Sequence, residues 1–163
     1  MFLFVTVVRA ELVDAVVHVV GDRIVTRSDV AFEVDFDPHD RSPIPALDAP
    51  EYVVSQRLVD FAILRQAAGD IEIYRPRTED VSARWARFRD DWARPEDYSA
   101  FLLRWGMDDR ALQGFLYSRL VVERFVARNV LQRSGALLEG LEFDAYEQWI
   151  APIRARADVR TPR

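Results

Sequence analysis

The sequence predicts a mostly α-helical fold with a small β-sheet: an N-terminal β-hairpin plus a C-terminal strand, attached to a bundle of about five to six helices. Three observations predict it. Two β-rich runs, Val13–Val20 and Arg23–Thr26, flank Gly21-Asp22. From there to Ile153, apolar side chains recur at helical spacing between Pro and Gly breakers. The tail, Ala157-Asp158-Val159-Arg160, is strand-like again. With 163 residues, half of them hydrophobic, the chain suits one domain.

Gly-Asp between β-rich runs signals a two-residue hairpin, because Gly supplies the positive φ at the first position of a type II′ turn. That turn sets Val20 opposite Arg23, Val19 opposite Ile24, His18 opposite Val25 and Val17 opposite Thr26. Val13, Ala15, Val17, Val19 and Ile24 then share one face, the expected apolar side. Ser28 is the expected N-cap of a short helix ending near Phe36, with Asp29 favourable to its N-terminal dipole.

As an ordered string, VVHVVGDRIVTRSDV resembles the opening of the mature SurA-type periplasmic chaperones, a "VAVVN/GxxxIxxSDV" segment that begins their N-terminal chaperone domain. A weaker resemblance continues through the helices to about Arg133. The family implies a periplasmic, ATP-independent holdase for unfolded outer-membrane-type polypeptides. It also implies a C-terminal segment that returns to the N-terminal domain. A parvulin-type prolyl isomerase module would follow near Leu141, where this chain holds only a helix and a short tail. The chain is therefore expected to be non-enzymatic. It is expected to form a single domain over residues 11–163, with 142–161 folding back on the hairpin. Met1–Ala10 is expected to be the remnant of an export signal, since Phe2–Val8 is apolar and Val8-Arg9-Ala10 suits a signal peptidase. An additional strand is the alternative for that segment.

Asp37 to Pro50 holds four prolines and is expected to be a loop, with Asp37, His39 and Asp40 in solvated turns rather than on a metal. Glu51–Ala68 is predicted to be a helix capped by Asp48, burying Val54, Leu58, Phe61, Ala62 and Leu64. Ile71–Tyr74 reads as an extended link. Thr78 is the expected cap of the next helix, whose Val81, Trp85, Phe88 and Trp92 share a face, while Arg84, Arg87, Arg89, Asp90 and Asp91 form its solvated side. A helix from Pro95 to Gly106 follows, with Tyr98, Phe101, Leu102 and Trp105 on one side. Asp108 caps the longest helix, about Asp109 to Gln132, expected to be the spine of the bundle. Ser134–Leu141 is a linker. A last helix buries Phe143, Tyr146, Trp149, Ile150 and Ile153, and Pro152 should kink or shorten it.

Several function classes fall away. Without Cys there are no thiolate metal sites, disulfides or cysteine nucleophiles. A net charge of −5 argues against a nucleic-acid partner. All 22 basic residues are Arg, which fits coding bias. No apolar run reaches the roughly 20 residues of a membrane-spanning helix. No nucleotide-binding or nucleophile-elbow motif occurs, and nothing in the sequence asks for a cofactor. What stands out is aromatic content: four Trp, five Tyr and ten Phe. Large rings in an interhelical groove can hold apolar peptide segments, and Tyr74, Trp92, Tyr98, Phe101 and Trp105 are the candidate lining. The expected partners are unfolded or nascent polypeptides. The alternatives are a non-catalytic subunit beside a separate prolyl isomerase, and an envelope adaptor that kept the fold.

Overall fold

A computed structural model describes residues 14–50, 52–131 and 143–162. The expectations for Met1–Ala10, Val13 and the Ser134–Leu141 linker lie outside these residues. Among the described residues there are a three-stranded antiparallel sheet and six α-helices: β1 (Val16–Val20), β2 (Arg23–Thr26), α1 (Arg27–Phe36), α2 (Val54–Ala68), α3 (Thr78–Asp90), α4 (Pro95–Arg104), α5 (Asp109–Val126), α6 (Phe143–Arg154) and β3 (Val159–Arg160). This is the mostly α architecture with a small sheet that the sequence predicts.

The hairpin forms at Gly21-Asp22, with Gly21 at φ 59° and no non-glycine residue at positive φ among those described, as a II′ turn requires. The register matches from Val20–Arg23 to His18–Val25, then departs: Val16, not Val17, faces Thr26, and a bulge absorbs the extra residue. The buried face is also the opposite of the expected one. Val20 and Val25 are 2% exposed, whereas Ile24 is 53% exposed and Ala15 is open to solvent. The hairpin is valine-rich on both sides, so alternation alone does not select a face. Packing against Val59, Ala62 and Ile63 of α2 selects Val20's side. The tail completes the sheet as predicted. β3 pairs antiparallel with β1, Val20 opposite Val159 and Val19 opposite Arg160, giving the order β2-β1-β3. The Gly21 N–H donates to Asp158 O at 2.9 Å. A third strand is what lifts an isolated hairpin above marginal stability.

Several caps differ from expectation. α1 starts two residues earlier than a Ser28 cap would allow. Thr26 ends β2 and also caps α1: its Oγ1 accepts the Asp29 N–H, while Asp29 accepts the Thr26 N–H at 2.8 Å. Asp48 does not cap α2, which begins at Val54 without a side-chain cap, because its carboxylate accepts the Ser42 N–H inside the loop. Thr78 is the first residue of α3 rather than its cap, and Asp80 reaches back to the Arg77 N–H at 2.9 Å. Glu72–Tyr74 is a 3₁₀ turn rather than an extended link. Asp108 caps α5 as expected, accepting the Ala111 N–H at 2.7 Å. α5 ends in a π-helical turn, Ala127–Leu131, where Asn129 donates to Phe125 O at 2.9 Å. α6 runs through Pro152 to Arg154.

Two further apolar clusters flank α5. One joins the Pro-rich loop to α2, α5 and α6 through Ile44, Leu47, Leu64, Val122, Val126, Tyr146 and Ile150. The other joins α1, α3, α4 and α5 through Phe36, Phe88, Tyr98, Phe101, Leu112 and Leu116. The loop is therefore no solvated excursion, since its Ile44 is fully buried. α5 spans both clusters, as a spine should, but α2 shares that role. α2 buries residues all round its circumference: Arg57, Leu58, Val59, Asp60, Ala62, Ile63 and Leu64.

Candidate functional site

Four of the five candidate aromatics converge. Trp92, Tyr98, Phe101 and Trp105 belong to one cluster with Phe32, Phe36, Phe88 and Phe115. Tyr74 is elsewhere, edge-on to Phe125 at 5.1 Å and accepting a hydrogen bond from Asn129. Within the cluster, Tyr98 is core: its hydroxyl donates to Asp109 and accepts the Trp85 indole N–H at 3.1 Å. Burial, then that carboxylate, push its phenol up to about 12. Trp105 packs edge-on to Phe32.

Trp92, half-buried, and the buried Phe101 beside it line a groove of about 430 Å³ between α1 and α4. α4 lines it with Asp97, Ala100, Phe101 and Arg104, whose spacings of three, one and three place them along one helix face. At 1.5 Å per residue that wall is ~10 Å long, about three residues of extended peptide. α1 and the turn after it supply Val34, Asp35, Pro38 and His39. Trp92, just beyond α3, forms the floor with Phe101, the ring centroids 5.3 Å apart. Val34 is exposed although apolar, and so is Leu103 nearby on α4.

The charges around this groove have partners. Arg104 bridges the two walls to Asp35 at 2.9 Å, and Arg94 holds Asp97 at 2.7 Å. The Arg94 hydrogen bond lowers the Asp97 pKa. His39 Nδ1 lies 2.7 Å from Asp91, and its ring stacks on Trp92 with centroids 3.7 Å apart. An apolar floor rimmed by paired charges suits neutral, apolar side chains. Sequence reasoning missed Val34 and His39. The available signal was Val34 on the polar side of a short helix.

It also missed a buried charge network. Arg84, assigned to a solvated face, is 5% exposed. It lies three residues after Val81 and four before Phe88, on the buried stripe. It holds Asp40 by two bonds, Glu123 at 3.2 Å and Arg41 O at 3.0 Å. Asp40 is accordingly buried rather than solvated, and Asp37 pairs with Arg57. Arg119 reaches Glu33 from within a ring of Phe36, Phe61 and Phe115. A second network, Tyr52, Asp60, Arg154 and Glu147, fixes α6 to α2. Burial raises the Asp60 carboxyl above the usual range, against the pull of Arg154. Among the described residues no cluster of His, Asp or Glu could hold a metal ion. No helix among them is long and apolar enough to cross a membrane.

No protein-family model, curated protein or solved structure matches this chain.

Proposed function

We propose that this chain is an ATP-independent holdase of the SurA type, exported to a periplasm-like compartment. It binds unfolded, aromatic-rich polypeptides such as outer-membrane protein precursors in the groove between α1 and α4. The observation that carries the proposal is that groove: a half-buried Trp92 over the buried Phe101 at its floor, with Val34 and Ala100 at its sides and the rim carboxylates Asp35 and Asp97 already paired with arginines. Its size falls within the roughly 300–1,000 Å³ of ligand-binding clefts. The pairing of β3 with the hairpin agrees with the returning segment that the resemblance implies. The holdase acts without isomerase chemistry of its own.

The test is suppression of aggregation of a denatured outer-membrane protein by the purified chain, beside Ala100→Trp. Ala100 is exposed, so the indole fills the groove without entering the core. Excluding one aromatic client side chain, worth about 2 kcal/mol, should weaken client binding at least tenfold. The urea midpoint should stay unchanged. Equal suppression by both proteins removes the groove from the function, and no suppression by either removes the holdase.

A further inference from the structure

The mouth of the groove carries a negative charge that its arginines leave over. Three carboxylates stand around it: Asp35 on α1, Asp97 on α4, and Asp91 just beyond α3, bonded to the lining residue His39. Arg104 holds Asp35 at 2.9 Å and Arg94 holds Asp97 at 2.7 Å. Among the described residues no arginine pairs with Asp91, whose side chain is 51% exposed. Arg89 is bonded to Asp90 at 3.2 Å, and Arg87, one turn back on α3, makes no ion pair with Asp91. The contact of Asp91 is His39, whose Nδ1 lies 2.7 Å from Oδ2. A neutral imidazole donates a hydrogen bond there without cancelling the carboxylate charge. The same imidazole stacks on the Trp92 indole with centroids 3.7 Å apart. A single ring therefore separates the exposed carboxylate from the apolar floor.

We propose that the groove selects client segments in which an aromatic residue is flanked by Lys or Arg, with Asp91 as the specificity-determining residue. The inference rests on the groove being the client site. The client's ring seats on Trp92 and Phe101, between Val34 and Ala100, where it needs no charge. The next residue of an extended segment lies about 3.3 Å further along the backbone. The long apolar stem of a Lys or Arg at that position carries its cation past His39 to Asp91. A Glu or Asp there meets a carboxylate with no guanidinium to offset it. Arg94 and Arg104 do not supply that offset, since each already holds a carboxylate of its own. Selection is thus for the sign of the flanking charge, on top of an apolar contact that is indifferent to it.

The probes are two blocked peptides, Ser-Lys-Phe-Lys-Ser and Ser-Glu-Phe-Glu-Ser, each titrated against the full chain at low salt. Both flanks carry the charge, so either chain direction along the groove presents it to Asp91. A partly exposed ion pair is worth up to about fivefold in a binding constant, and exchanging attraction for repulsion roughly squares that factor. The Lys peptide should therefore bind roughly three- to twentyfold tighter than the Glu peptide. Raising the salt to about 1 M, where charges are screened beyond ~3 Å, should shrink the ratio. In Asp91→Asn, whose amide keeps the side-chain shape and still accepts from His39, the ratio should fall to about half or less. Asp70→Asn makes the same change in net charge just beyond α2, outside the groove, and should leave the ratio in place. Equal affinity for the two peptides, or a ratio as large in Asp91→Asn as in Asp70→Asn, overturns the inference alone. Absence of binding by both peptides overturns the groove as client site and the inference with it.

Discussion

Arg84→Met is the sharpest test of the fold's internal wiring. Arg84 is buried, with bonds to Asp40 on one side, Glu123 on the other and the Arg41 carbonyl beside them. Methionine keeps most of the aliphatic stem and removes the charge. Two carboxylates, 1% and 6% exposed, then lose their shared cation. Breaking a buried ion pair from one side costs ~3–5 kcal/mol. With a urea m-value of about 2 kcal/mol/M, the unfolding midpoint should fall by roughly 2 M. The loss should depend on pH with a definite sign. Burial raises the Glu123 carboxyl above its ordinary range, with Arg84 pulling it back down. A carboxyl raised in the folded state leaves the protein most stable below the unfolded value, near 4.3, and stability falls as pH climbs towards the folded value. Removing Arg84 raises Glu123 further, so the penalty should be larger at pH 8 than at pH 5. Arg84→Met/Asp40→Asn/Glu123→Gln, which leaves none of these three charges, should recover at least about 2 kcal/mol. Equal midpoints for wild type and Arg84→Met, or a penalty independent of pH, would refute the assignment of these three groups as one buried unit.

Two further substitutions test how the ends of the chain are joined. Ile150→Ala empties a fully buried position on α6 and should lower stability by ~2–5 kcal/mol in urea unfolding; a loss under about 0.5 kcal/mol would mean that α6 is not part of the core. Gly21→Ala forces a Cβ onto a residue at φ 59° and within 3.3 Å of the Gln66 side-chain amide, so a loss of about 1–2 kcal/mol is expected by calorimetry, and an unchanged midpoint would contradict the II′ turn.

Much of the architecture is legible in the sequence because local chemistry fixes it. Gly21-Asp22 specifies a turn, Asp108 specifies a helix start, and the apolar periods of 3.6 and 2 separate helices from strands. The pairing of the tail with the hairpin is legible too, since a hairpin with unpaired edges and a single distant strand-like tail have few other ways to satisfy their backbone groups, but that it joins β1 and not β2 is decided by the tertiary structure. The aromatic cluster was legible as well, because Trp92, Tyr98, Phe101 and Trp105 lie close together along the chain.

Tertiary structure decided what depends on which surfaces meet. The hairpin carries valines on both faces, and only the approach of α2 buries Val20 and Val25 while leaving Ile24 in solvent. Arg84, Arg119 and Glu33 look like surface residues by type, and they are buried because partners distant in sequence arrive beside them. Tyr74 and Trp92 have similar local signals. One is drawn to Phe125 and the other to a groove wall formed from α1. Periodicity states which side chains share a face of their own element, but a face becomes interior or site only when a second element, placed by long-range packing, comes to cover it or stops short.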